Sequence, residues 1–349
     1  MNIYKQLDKA RRWQGEIMDA AGLGPEETPS RTVLSAPAVT LKAYGEAGPG
    51  PVLLLVPAPI KRAYIWDLAP ELSVVRAGLR HSLQVYLVQW ERPGPAEDGL
   101  GLDAYACSFL LGCLDAIAAE TGRRRVFLAG HSLGGTFSAI FTSLLPERVR
   151  GLMMVGAPVN FGPGIGALDT LVAGGPRAET ITEGLGNVPG TFLNTVSALA
   201  SPRSFQQERA WDWLISLADF ESFRTHLMVE RWSLDESPLP KALFEDVVDG
   251  LYRRNLFMRG ELTVAGKRAL PEAIDVPLVS VVDERSDVVS PRSSLLLHDA
   301  VKSTDLQVLR YEGDVGVAFQ HVGMLVGRNA HRTLWPKLMR WALARSAGN

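Results

Sequence analysis

Six short apolar runs mark the chain: Val52 to Val56, Val85 to Val88, Val126 to Ala129, Leu152 to Val155, Val276 to Val282 and Leu306 to Tyr311. They are near-continuous rather than alternating, the pattern of strands covered by helices on both faces. Between them lie stretches with helical spacing, such as Ala104 to Glu120, where Tyr105, Phe109, Gly112, Cys113 and Ile117 recur on one side. The alternation predicts an α/β fold with a mostly parallel sheet. The rhythm breaks between Phe161 and Glu272, a stretch rich in Pro, Gly, Trp and Phe with no βα repeat. An insertion of that length is expected to form a cap, or lid, over the carboxyl ends of the strands. The predicted organisation is an N-terminal helical extension (1–35), a core built from 36–160 and 273–349, and the cap (161–272).

The first residues, MNIYKQLDKARRWQGEIMDAAGLG, form a charged amphipathic pattern without the apolar core of a signal peptide. No later run approaches the ~20 apolar residues of a membrane span, so none is expected. Among 349 residues, 46% are hydrophobic and 21% charged, and 36 Lys and Arg face 38 Asp and Glu for a net charge of -2. That balance gives no reason to expect binding to nucleic acid or to anionic membrane surfaces. The two cysteines, Cys107 and Cys113, are too few for a disulfide framework and too poorly accompanied for a zinc site. A reducing, cytoplasmic setting is expected, with neither a metal nor a cofactor.

The sharpest chemical signal is RRRVFLAGHSLGGTFSAIF, Arg123 to Phe141. A strand runs into Gly130-His131-Ser132-Leu133-Gly134 and then into a helix, the context that a G-x-S-x-G nucleophile elbow needs. Gly130 and Gly134 allow close approach of strand and helix while Ser132 projects its hydroxyl from a strained turn. Neither P-loop spacing nor a G-x-G-x-x-G run is present, which argues against a phosphate-binding turn. A serine hydroxyl is a weak nucleophile at neutral pH, so an acid and a base should follow in the order Ser, Asp or Glu, His. The apolar run ending at Val282 leads into Asp283-Glu284-Arg285-Ser286-Asp287-Val288-Val289-Ser290-Pro291. Asp287 is the expected acid, and Asp283, nearer the strand end, is the alternative. Of six histidines, His321 follows the last strand candidate through a loop and is the expected base. His331 is the runner-up but is expected to open the final helix, and His131 to point away from the nucleophile. The developing oxyanion needs two donors, expected to be the backbone N–H of Leu133 and that of Ile60 in the loop Pro57-Ala58-Pro59-Ile60-Lys61-Arg62.

Over nearly its whole length the chain resembles the polyhydroxyalkanoate synthases, in particular the short catalytic subunits of the two-subunit class III and IV enzymes. The resemblance is carried by Tyr64-Ile65-Trp66-Asp67-Leu68, Val85-Tyr86-Leu87-Val88-Gln89-Trp90, Leu102-Asp103-Ala104-Tyr105 and Gly134-Gly135-Thr136-Phe137. It continues in Gly186-Asn187-Val188-Pro189-Gly190, Arg231-Trp232, and Tyr252 with Asn255-Leu256. It implies an α/β-hydrolase fold with a mobile cap, a homodimer, a second subunit if the chain is a true synthase, and 3-hydroxyacyl-CoA as substrate. It also implies that Ser132, Asp287 and His321 occupy the nucleophile, acid and base positions. The elbow departs from that family, which carries cysteine where this chain has Ser132. Lys61 replaces a loop asparagine, and Val288 stands where histidine is common. An acyl-serine is an oxoester, so growth of a polyester from it is nearly thermoneutral and competes with water. The serine therefore tilts the expectation toward an enzyme that takes acyl esters or acyl-CoA and passes the acyl group to water or an alcohol. The alternatives are a genuine polyester synthase using serine and a non-catalytic relative that binds acyl chains or polyester granules through cap aromatics.

Overall fold

The computed structural model describes residues 3–46 and 48–346. Eight strands form one sheet: β1 (Ser30–Ala36), β2 (Val39–Tyr44), β3 (Val52–Val56), β4 (Gln84–Trp90), β5 (Val126–His131), β6 (Val149–Val155), β7 (Leu278–Val282) and β8 (Leu306–Arg310). Their order is β1-β2-β4-β3-β5-β6-β7-β8, antiparallel at β1 and β2 and parallel from β4 onward. All six apolar runs are strands of this sheet. The first two strands carry no such run, and β1 starts at Ser30, inside the segment assigned from sequence to the helical extension. β1 is largely exposed and β2 buries alternate residues along most of its length, so neither has the continuous apolar signature of a doubly covered strand.

The helices that bear on the site are α1 (Ile3–Met18), α2 (Phe109–Thr121), α3 (Leu133–Leu144), α4 (Arg209–Ser216), α5 (Phe220–Ser233) and α6 (Gln320–Val326). Side chains alternate across the sheet. Leu54, Val56, Leu128 and Met154 pack with Leu110, Phe137 and Ile140 on one face, and Leu53, Leu55, Phe127 and Met153 with Trp66, Trp335 and Leu338 on the other. Each such large side chain, removed from water, contributes roughly 1.5–3 kcal/mol. The strands thus form a rigid platform whose carboxyl ends hold the loops discussed below.

Ala104–Thr121 is, by length and composition, apolar enough to cross a membrane, a feature the sequence reading passed over. In the fold its stripe Leu110, Cys113, Leu114 and Ile117 is fully buried in the core. Both cysteines are buried and free. The inserted region contributes helices between Ala167 and Arg253, α4 and α5 among them. Its aromatic residues divide: Trp232 is buried, whereas Trp211 and Phe220 are 63% and 74% exposed.

Candidate active site

The turn from β5 into α3 places Ser132 at φ 53°, ψ −132°, a region that costs a non-glycine residue on the order of 1–3 kcal/mol. The surroundings hold it there. Its N–H donates to the Val155 carbonyl at 3.1 Å, and its own carbonyl accepts from Gly135 N–H at 2.9 Å and Thr136 N–H at 3.2 Å. A Cβ on Gly130 would lie 2.4 Å from Gly135 Cα, and one on Gly134 would lie 2.1 Å from the Val56 carbonyl oxygen. Backbone occupies the space that a side chain at either position would need. Gly135 is equally constrained, since its Cβ would meet Ala157 Cβ at 2.3 Å.

The contact of Gly134 with Val56 and Pro57 brings the start of α3 against the loop after β3. Leu133 is the first residue of α3, so its N–H has no acceptor within the helix. Ile60 lies in the facing loop, where its carbonyl accepts from Ser237 N–H at 3.1 Å. Lys61 beside it is tied to the cap segment: Nζ donates to the Ser233 carbonyl and lies 3.3 Å from Glu236 Oε1. Burial lowers the Lys61 ammonium to about 8 despite Glu236.

His321 sits in the first turn of α6. A Cβ on Gly156 would be 3.2 Å from both Cε1 and Nδ1 of its ring. Gly156 directly follows Val155, the residue that accepts the Ser132 N–H, so the Ser132 backbone and the His321 ring each meet one of two adjacent residues at the end of β6. His131 completes the contact. Its ring lies 4.4 Å from that of His321, and its Nε2 donates to the His321 carbonyl at 2.9 Å. This contact, between residues 190 apart in sequence, was not evident in the sequence.

The expected acid is not seated on the expected base. Nδ1 of His321 is buried without a hydrogen-bond partner. The Asp287 carboxylate accepts instead from Ser204 Oγ of the cap. The Asp287 carbonyl takes a further hydrogen bond from Ser201 Oγ at 3.5 Å. Asp283 is 3% exposed and folds back on its own loop, accepting from Arg285 N–H at 2.9 Å. His331 lies in the helical turn Ala330–Leu334 and its Nε2 bonds to the Leu325 carbonyl at 2.7 Å, away from the elbow. Among the described residues, no cluster of His, Cys, Asp or Glu has the arrangement of a metal site.

Burial lowers four histidines below their ordinary value, His298 among them. His131 and His331 fall to about 4, and His321 falls well below 6.5, helped by the neighbouring His131. A group with a depressed folded value contributes stability that is complete above its unfolded value and lost as pH falls toward the folded one. The window is therefore from about 6.5 down to about 4. For His131 alone the loss across it is on the order of 3 kcal/mol. Thermal melts at pH 7.5 and pH 5 are expected to differ by many degrees, with His131→Phe reducing the difference. Equal melting temperatures would contradict the buried, neutral state of these rings.

The chain belongs to the α/β-hydrolase fold family, which it matches over residues 52–234. Within that fold its relatives are named as poly(3-hydroxyalkanoate) polymerase subunits PhaC. The protein of Haloferax mediterranei is 31% identical over 84% of this chain and 59% of its own length, so the chain spans about three-fifths of that relative. Those of Synechocystis sp. and Allochromatium vinosum are each 26% identical over 97% of this chain, and over 92% and 95% of their own lengths. Solved structures share the fold. They include the non-heme bromoperoxidase BpoC of Mycobacterium tuberculosis H37Rv (TM-score 0.56, 12% identity, 89% of this chain and 97% of that one). The enol-lactonase of Burkholderia xenovorans LB400 has TM-score 0.53 at 14% identity, over 92% of this chain and all of that one.

Proposed function

We propose that this chain is a PhaC-like serine enzyme that forms an acyl-Ser132 intermediate from 3-hydroxyacyl esters or thioesters and passes the acyl group to water or an alcohol. The observation that carries this reading is the placement of the strained Ser132 backbone and the His321 ring against the adjacent residues Val155 and Gly156. In the proposed chemistry, Ser132 Oγ attacks the acyl carbonyl carbon while its proton passes to the imidazole of His321. The oxyanion is held by the N–H groups of Leu133 and Ile60. Collapse of the tetrahedral intermediate breaks the bond to the leaving alkoxide or thiolate, which takes the proton back from His321. Water or an alcohol then repeats the sequence on the acyl-serine. Asp287 is the acid that turns toward Nδ1 when the imidazolium forms.

A second reading, a polyester synthase that elongates from serine, is favoured by near-complete coverage of the Synechocystis and Allochromatium relatives. Ser132→Cys separates the two. The swap alters volume slightly but makes the acyl-enzyme a thioester, from which attack by a chain-end hydroxyl is downhill. With 3-hydroxyacyl-CoA as donor, wild type is expected to give mainly free hydroxy acid or a single-transfer product. The cysteine variant is expected to gain oligomer relative to acid, measured as released CoA, free acid and oligomer. Long polymer from wild type, with less from the variant, would establish the synthase reading instead. The same proposal places the protein in the cytoplasm, where its two free buried cysteines stay reduced. It also proposes a homodimer, joined by a second subunit if Ser132 supports polymerisation.

A further inference from the structure

The loop Gly313 to Phe319 delivers His321 to the elbow, and a single buried side chain of the cap grips it. Asp212 lies on α4 and is 6% exposed. One carboxylate oxygen accepts from Gly316 N–H at 2.8 Å and the other from Ala318 N–H at 2.8 Å. The second oxygen also accepts from His226 Nδ1 at 2.7 Å, from the neighbouring helix α5. Three donors thus converge on one carboxylate, which a buried charge requires.

The gripped loop does not hold this shape by backbone preference. Gly316 has φ 79° and Ala318, a non-glycine residue, has φ 55°. A Cβ on Gly316 would lie 2.3 Å from the Ser222 carbonyl in the first turn of α5. Directly after Ala318, the Phe319 ring packs 5.5 Å from Phe205 and 5.1 Å from the Arg209 guanidinium, both in the cap segment that contains Asp212. His321 follows two residues later, with its Nδ1 lacking a partner. From the core side it is held by Gly156 and His131, and from the chain's own direction by this loop.

We infer that Asp212 is a positioning residue: through the Gly316 and Ala318 N–H groups it sets the loop that carries His321, so that the seat of the cap determines the placement of the base. This rests on the serine-enzyme reading above. The same stretch of cap also reaches the acid, since Ser201 and Ser204 contact Asp287. Residues 201–226 therefore touch both loops whose side chains must meet.

The test compares Asp212→Asn with His226→Gln. Asparagine keeps the volume but turns one acceptor into a donor, which opposes either the Gly316 N–H or both the Ala318 N–H and His226. Glutamine at 226 leaves both backbone contacts of Asp212 in place. Each variant and wild type are assayed for hydrolysis of p-nitrophenyl butyrate, for the rate of Ser132 labelling by a fluorophosphonate, and for melting temperature. Displacement of a catalytic group on the order of an ångström lowers rate by about tenfold to 10²-fold. Asp212→Asn is expected to lose that much in kcat and in labelling rate, with KM within about twofold of wild type. His226→Gln is expected to stay within about threefold in kcat. Should Asp212→Asn fail to fold, Asp212→Glu, which keeps the charge but displaces the oxygens by one methylene, is expected to show the same kcat loss. Unchanged labelling and kcat in the folded variant, or a loss carried by KM alone, would overturn the inference while leaving the serine reading intact. Wild type that is not labelled at Ser132 would overturn both.

Discussion

Ser132→Ala is expected to lower acyl-ester turnover on the order of 10³-fold or more, and His321→Ala by a similar factor. The double variant should lose little beyond either single one. On the proposed reading nucleophile and base act as one unit, so once either is gone the residual rate comes from the oxyanion donors and from binding, which both variants retain. Neither change should unfold the protein. Alanine at 132 keeps the backbone hydrogen bonds to Val155, Gly135 and Thr136, and alanine at 321 leaves the carbonyl that His131 grips. Rates with p-nitrophenyl esters, together with melting temperatures, check both points. Near-wild-type turnover in Ser132→Ala would end the assignment of the nucleophile. The same measurement separates an enzyme from a protein that only binds acyl chains, since a binder has no rate to lose.

The elbow was legible because its constraints are local. Gly130 and Gly134 are fixed by backbone atoms within the turn and in the adjoining strand β3, and the G-x-S-x-G spacing encodes that steric requirement directly. The parallel strands were legible for a related reason, since burial on both faces removes polar residues from the run. The cap was not. The Asp212 contacts to Gly316 and Ala318 span 104 and 106 residues of sequence, and that of Ser204 with Asp287 spans 83. Nothing in the neighbourhood of Ser204 or Asp212 along the chain distinguishes them from solvated polar positions. His131 belongs to the same class: only the folded position of His321 reveals what its ring faces.

Asp287→Asn is expected to lower kcat by about 10³- to 10⁴-fold, although the Asp287 carboxylate does not touch His321 in this structure. The argument starts from the unpartnered Nδ1 of His321. When Ser132 gives up its proton the ring becomes an imidazolium in a site where burial already disfavours charge, and an unpaired buried cation is costly. On the proposed mechanism a carboxylate must therefore reach Nδ1 during the reaction. Asp283 is poorly placed for this, because it is committed to the Arg285 N–H and Nε of its own loop. Among the described residues the Asp287 carboxylate accepts from Ser204 Oγ, and one hydrogen bond to a charged group contributes roughly 1.5–3 kcal/mol, less than the several kcal/mol that an unpaired buried cation costs. Turning Asp287 from Ser204 to His321 is thus downhill once the ring is charged. Three variants read this out together. Asp287→Asn should lose kcat with little change in melting temperature. Ser204→Ala should keep full activity, since it removes only the competing donor. Asp283→Asn should melt earlier, because its buried carboxylate organises the loop, but lose less than about tenfold in kcat. A 10³-fold loss in Asp283→Asn with an active Asp287→Asn would move the acid to Asp283 and make the Ser204 contact its permanent partner for Asp287.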